Sequence, residues 1–145
     1  MTLSDEDASH PVVAQRLHAV KRISVREPVA DRELAERLAD EAWPLSQSSA
    51  APSRMLVFCN SRTTAQQVAR LLQRPDRGAE TQLLVGARRV HEREAVAAWL
   101  EERGYTAGRE IPIERSIFLV ATSAGAVGPD LVADPLGGGA VPLER

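Results

Sequence analysis

Cysteine, lysine and aromatic residues are scarce in this chain of 145 residues, which has one cysteine (Cys59), one lysine (Lys21) and 3% aromatic residues. A single cysteine excludes a disulfide framework within the chain, and no cluster of ligand residues indicates a zinc site. Because Cys59 lies in an apolar run, we expect it to be a small buried hydrophobic side chain. No apolar run approaches the length that spans a bilayer, so no membrane partner is expected.

An excess of charge of one sign is also lacking. The formal net charge is −2, and hydrophobic residues make up 43% and charged residues 26% of the chain. These values are ordinary for a soluble globular protein. Bulk charge therefore gives no argument for a nucleic-acid partner, although a local arginine face matters more than the total. The first seven residues lack the basic and apolar regions of a signal peptide, so a cytoplasmic location is expected.

Three motifs of nucleotide-driven enzymes are missing from the sequence. It has no Gly-Lys-Thr phosphate loop, no Asp-Glu-x-His magnesium motif and no His-Asp cluster of a metal nuclease. Phosphoryl transfer needs a phosphate cradle, a magnesium ligand and usually an arginine finger. We therefore expect no catalytic residue and no metal ligand here, and the chain cannot be a complete motor by itself.

The sequence does contain short apolar runs that alternate with amphipathic segments. The runs at residues 55–59, 81–85 and 116–121 predict strands. Asp31 is expected to cap a helix with an apolar stripe of Leu34, Leu38 and Trp43, and this helix should end at Pro44. Strands separated by helices indicate parallel βαβ units, so the predicted fold class is α/β.

Two further helices and two loops complete this prediction. One helix follows the first strand and is capped by Asn60 or Ser61, and its apolar side is formed by Ala65, Val68, Ala69, Leu71 and Leu72. The other runs from Val90 to Glu102, is closed by Gly104, and is apolar at Val90, Ala97, Trp99 and Leu100. Residues 105–115 are predicted to form a polar loop. The Pro-Leu-Gly-Gly-Gly run at 135–139 is also expected to be a loop, which would leave the 116–121 strand near an exposed sheet edge.

The first segment with possible chemistry runs from Val57 to Thr63. A strand ends there in Asn60, Ser61 and Arg62, and a helix begins. Backbone N–H groups at a helix start are free and suit a phosphate. The same residues also form ordinary helix caps in any α/β protein, and taken alone this capping role is the better explanation.

The second segment, from Leu83 to Glu94, also passes from a strand through a glycine into a helix. Gly86 lies at the turn, and Arg88, Arg89 and Arg93 are nearby. Arginine at a helix start is electrostatically unfavourable because the dipole is already positive there, and an anionic ligand would relieve that cost. The alternative is a solvated charged face, with His91 merely exposed.

The third segment, residues 117–130, reads Ile-Phe-Leu-Val-Ala-Thr-Ser-Ala-Gly-Ala-Val-Gly-Pro-Asp. A buried strand stops at Thr122 and Ser123, and two glycines and an acid follow. A loop after such a strand lies at the carboxyl edge of the sheet, where open α/β folds bind their ligands. By itself, this segment can also be explained as the strand–turn–helix junction that any doubly wound fold contains.

Taken together, in this order and at these separations, the three segments resemble the second RecA-like domain of superfamily 2 helicases. The match is closest to the helicase half of the CRISPR-associated helicase–nuclease family of type I systems, and it covers roughly residues 11–145. The resemblance implies a RecA-like parallel sheet flanked by helices. It also implies ATP as cofactor, with magnesium supplied by another domain, and single-stranded DNA as a partner in antiviral defence. A first RecA-like domain and a CRISPR effector complex are the further partners it implies.

The same resemblance assigns the site residues and the domain limits. Residues 1–10 would be a disordered N-terminus, 11–54 a lead-in segment with a helix, and 55–145 the C-terminal RecA-like domain, incomplete at its C-terminal end. ATP contacts are implied at Gly128 and Asp130. Contacts with nucleic acid are implied at Asn60, Ser61, Arg62, Gly86, Arg93, Thr122 and Ser123.

The chain departs from the family pattern in three places. Ala126 stands where the family usually has an acid, Pro129 restricts the residue before it, and Gly137–Gly139 occupy the place of an apolar strand. Two alternatives therefore stay open. One is a different superfamily 2 DNA or RNA helicase, and the other is a non-enzymatic α/β module that binds a partner.

Overall fold

The computed structural model describes residues 24–48, 50–86, 90–106 and 111–123, without the side chains of residues 90, 91 and 93. The elements, in chain order, are α1 (Asp31–Gln47), β1 (Arg54–Cys59), α2 (Arg62–Leu72), β2 (Glu80–Leu84), α3 (Val90–Glu102) and β3 (Ile117–Thr122). Among these residues, no helix is both apolar and long enough to traverse a bilayer. The segments predicted at 1–10 and 135–139 lie outside the described residues.

Helix α1 differs from its prediction at both ends. Its N-cap is Ala30, which makes no side-chain capping bond, so Asp31 lies inside the first turn with Glu33. Both carboxylates there complement the positive end of the helix dipole. At the other end the helix continues through Pro44 to Gln47. The last turn persists because it packs inward: Ser46 is 2% exposed, and its hydroxyl donates to the Trp43 carbonyl at 2.8 Å.

The three strands form one parallel sheet in the order β1-β3-β2. All six residues of β3 are buried, as expected for a central parallel strand with a continuous apolar run. Among the described strands, the prediction that this strand lies near an exposed edge is therefore wrong. Strand β3 is last in this part of the sequence but lies between the other two.

The core has two parts, one on each face of the sheet. On one face α1 and α2 pack against alternate residues of β1 and β3, including Val57 and Phe118. On the other face α3 packs through Val96 and Leu100. Ala97, which was predicted to belong to this apolar side, is exposed. The architecture is thus mixed α/β, with a parallel sheet flanked by helices, and it is compatible with a RecA-like fold.

The segment after α3 contains the largest fully buried side chain of the described residues, Tyr105. Gly104 closes α3 with a φ of +71°, and the backbone N–H of Tyr105 donates to the Leu100 carbonyl at 2.9 Å. Tyr105 is 0% exposed, and its hydroxyl lies 3.0 Å from the carbonyl oxygens of both Met55 and Ile117. The prediction of a wholly polar loop from 105 to 115 is therefore wrong at its first residue.

Candidate nucleic-acid interface

The carboxyl ends of the three strands lie side by side at one edge of the sheet. Cys59 pairs in register with Thr122, and Leu84 pairs with Ala121. Adjacent strands are about 4.8 Å apart, so the residues that follow them are close neighbours. The structure therefore brings the strand ends within the three sequence segments to one edge, with the β3 end between the other two.

The start of α2 is the best-defined part of this edge. Ser61 is its N-cap, and its hydroxyl oxygen accepts from the backbone N–H of Thr64 at 3.0 Å. The same hydroxyl is 2.8 Å from the hydroxyl of Thr64. Ser61 thus has the ordinary capping role, which limits what its side chain offers to a ligand.

Two further backbone N–H groups lie in the first turn of α2, at Arg62 and Thr63. The N–H groups of Arg62 and Thr63 have no acceptor among the described residues, as is usual for the first turn of a helix. No acidic side chain lies in that turn, in contrast to α1. The guanidinium of Arg62 is exposed and has no ion pair within the described chain. Within the part of the chain that the structure describes, no acid of this turn offsets the positive potential of the helix dipole and of Arg62, and such a potential favours an anion.

The end of β3 divides into a buried and an exposed hydroxyl residue. Thr122 is 6% exposed, whereas Ser123 is exposed. Asn60, at the end of β1, is exposed as well. Of the polar residues assigned to this edge, Thr122 is therefore largely covered, whereas Asn60 and Ser123 are exposed, as are Ser61 and Arg62.

The remaining predicted site residues are placed less fully. Gly86 is partly exposed two residues after β2, and Arg93 is the fourth residue of α3, with its side chain outside the description. Gly128 and Asp130, predicted to contact ATP, lie outside the described residues.

Cys59 lies at this edge but offers no reactive thiolate. It is 5% exposed, and desolvation by burial raises the pKa of its thiol to about 11. The thiol therefore stays protonated at neutral pH, as expected for a buried hydrophobic residue. In the described parts of the chain, no group of three His, Cys, Asp or Glu residues has the arrangement of a metal site.

Phe58 is an aromatic residue of this edge that was not predicted from the sequence. Phe58 is 41% exposed, because it lies on edge strand β1 and on the face opposite Val57 and Cys59. An exposed aromatic ring is the kind of surface on which nucleic-acid bases stack in proteins that bind single strands. The signal was present in the alternation of β1, since residues 55, 57 and 59 share the buried face and residue 58 points away from it.

Comparison of the chain with protein-family models, with curated proteins and with solved structures gives no match.

Proposed function

We propose that this chain is the C-terminal RecA-like domain of an ATP-dependent superfamily 2 helicase of the CRISPR-associated type I kind. Its part in the activity is to bind the sugar–phosphate backbone of single-stranded DNA at the carboxyl edge of the sheet. It would act beside a first RecA-like domain that supplies the phosphate loop and the magnesium site. The antiviral role and the effector complex follow from the sequence resemblance.

One observation carries the DNA-binding part of this proposal. The β1-β3-β2 order places the junctions after all three strands at a single edge, although roughly 60 residues separate β1 from β3. A groove along such an edge suits an extended strand, because each junction contributes one contact in turn.

The chemistry of the edge favours the nucleic-acid backbone over base edges. The N–H groups of Arg62 and Thr63 and the hydroxyl of Ser123 donate to phosphate oxygens, and the Arg62 guanidinium adds a charged donor. Phe58 offers a stacking surface that accepts any base. Binding should therefore depend strongly on salt and weakly on sequence.

The ATP-binding part rests on the resemblance at Gly128 and Asp130. Because the sequence has no Gly-Lys-Thr loop and no Asp-Glu-x-His motif, we expect no ATP turnover by this chain alone. Phosphate release should stay at background with and without single-stranded DNA. Turnover that persists through repurification would contradict this assignment.

Two arginines of α2 provide a matched test of the DNA site. Arg62 is the first residue of the helix and Arg70 lies in its last turn, about 12 Å further along the axis, and both side chains are exposed. Arg62→Gln and Arg70→Gln make the same change in charge at the two ends. Binding of a fluorescently labelled oligo-dT is measured by anisotropy across a salt series.

We expect Arg62→Gln to weaken binding and to reduce the slope of log K against log salt by about 0.7, the value for one phosphate contact on a single strand. Arg70→Gln should leave the affinity and the salt slope unchanged. Equal effects of the two variants, or none from either, would exclude the start of α2 from the DNA path.

The stacking role of Phe58 is tested separately. Phe58→Leu keeps an apolar side chain and removes the aromatic face. Loss of one stacked base costs about 1–3 kcal/mol of binding energy and leaves the salt slope unchanged. Val25→Leu, at a residue that is 89% exposed outside the sheet, is the control. Unchanged affinity in Phe58→Leu would refute stacking at this position.

A further inference from the structure

A cleft lies at the amino edge of the sheet, opposite the candidate nucleic-acid interface. Its walls come from the last turns of α1, the turn before β2 and the residues before β3. Its volume is about 380 Å³, which is within the range of small-molecule sites. No residue that the sequence resemblance assigns lines this cleft.

Arg77 lines the cleft with an incompletely paired guanidinium. The side chain is 16% exposed, and its Nη2 donates to the carboxylate of Asp40. Its Nη1 is buried and has no acceptor among the described residues. A buried donor without a partner costs free energy comparable to a lost hydrogen bond, and more when the group is charged. The positive charge of Arg77, a lining residue, favours an anion in the cleft.

A second arginine, Arg115, lines the same cleft. Arg115 is exposed and makes no ion pair within the described chain. The opposing charges are Asp40, which is paired with Arg77, and Glu114, which is exposed on the rim. Two arginines that line one cleft can bind an oxyanion through their N–H donors.

The other walls of the cleft are suited to an organic molecule. Trp43 lines it with a half-buried indole that stacks on Phe118, with ring centroids 6.3 Å apart. The exposed Gln47 is also a lining residue, and its amide nitrogen donates to the Ser46 hydroxyl at 3.0 Å. The volume exceeds that of a bare oxyanion, since 380 Å³ equals roughly a dozen water molecules at about 30 Å³ each.

We propose that this cleft binds a small organic oxyanion, with its phosphate or carboxylate on Arg77 and Arg115 and its apolar part against Trp43. This site is separate from the DNA edge, because the two lie at opposite ends of the parallel strands. It would give the domain a ligand-binding function besides the one proposed above.

The test follows backbone amide resonances of the ¹⁵N-labelled full chain during titration with AMP, benzoate and inorganic phosphate. AMP represents an organic phosphate and benzoate an organic carboxylate, so the two probes show which anionic group the cleft prefers. Inorganic phosphate tests binding of the anion without an organic part. We expect saturable shifts at Gly78 and Ser116 with AMP or benzoate, at lower concentration than with inorganic phosphate. The amides of Arg62 and Ser123 report binding at the DNA edge, so the two sites are distinguished in one experiment.

Variants complete the test. Arg115→Gln should weaken binding about tenfold, the effect of one hydrogen bond to a charged group, and it leaves the core untouched. Arg70→Gln, with the same charge change away from the cleft, should have no effect. The proposal is overturned if no probe gives saturable shifts at Gly78 and Ser116, or if both variants behave alike. It is also overturned if inorganic phosphate binds as tightly as the organic probes.

Discussion

The hydroxyl of Tyr105 should contribute measurably to stability, because it joins two strands from inside the core. It lies 3.0 Å from the carbonyl oxygens of Met55 on β1 and Ile117 on β3, and the residue is 0% exposed. One phenolic hydrogen is shared between these two acceptors. The ring itself stacks on Trp99 at a centroid distance of 5.6 Å.

Tyr105→Phe removes the hydroxyl and keeps the ring. The stacking on Trp99 should survive, and the loss is confined to the hydrogen bond and to the desolvated carbonyl oxygens. Leaving buried acceptors short of a donor costs about 1–3 kcal/mol of the free energy of unfolding. Tyr105→Ala would also lose the ring and cost about 3–5 kcal/mol, the range for removing a large aromatic side chain from a core.

Urea denaturation followed by tryptophan fluorescence measures both variants. With a slope of about 2 kcal/mol per molar urea, Tyr105→Phe should lower the midpoint by roughly 0.5–1.5 M. The slope should not change, since the native surface is the same. A midpoint equal to that of the parent protein would show that the shared hydrogen bond contributes nothing, and a loss as large as that of Tyr105→Ala would refute the survival of the ring packing.

Two further stability predictions follow from the described structure. Pro44→Ala should raise the free energy of unfolding by about 1–2 kcal/mol, because alanine restores a backbone donor to an exposed position inside α1. An unchanged or lower thermal midpoint would contradict this prediction. The pKa of the Cys59 thiol is raised to about 11 in the folded state, whereas the unfolded chain has the ordinary value of 9.0. The unfolded chain therefore loses the thiol proton first, and the free energy of unfolding falls as pH rises from 9.0 to about 11. The loss of stability should be about 1 kcal/mol at pH 10 and should be absent in Cys59→Ala. Urea titrations of the two proteins across this pH range measure it, and identical pH profiles would refute the prediction.

The local elements of this fold were predictable from the sequence because their causes are local. The apolar run that ends at Cys59 gives β1, and Ser61 caps the helix behind it as expected. The left-handed Gly104 ends α3 where a glycine after an amphipathic helix should. These features depend on residues within one turn of each other.

The errors arose where distant contacts decide the outcome. Pro44 was expected to end a helix, but Ser46 two residues later is buried in the core, and this burial maintains the last turn. The burial of Tyr105 was not predicted, because its hydroxyl bonds to Met55 on β1 and Ile117 on β3, which lie 50 and 12 residues away in the sequence. The position of β3 between the other strands is likewise a non-local pairing.

For the candidate site, the sequence predicted that these residues share one edge of the sheet but did not predict their accessibility. Asn60, Ser61, Arg62, Gly86, Thr122 and Ser123 do come to one edge, because parallel strands share their carboxyl ends. The hydroxyl of Ser61 is used by the helix it caps, and Thr122 is largely buried. Which of two adjacent polar residues faces solvent depends on packing across the sheet, and composition does not reveal it.

The central place of β3 also determines when the sheet can form during synthesis. Strands β1 and β2 do not pair with each other in the described sheet, and each pairs only with β3. Until β3 leaves the ribosome, neither earlier strand has its partner. At about 5–20 residues per second, the roughly 40 residues from the end of β2 to the end of β3 take about 2–8 s to synthesise. During that interval β1 and β2 lack the strand that lies between them, so this sheet forms only after β3 has been synthesised.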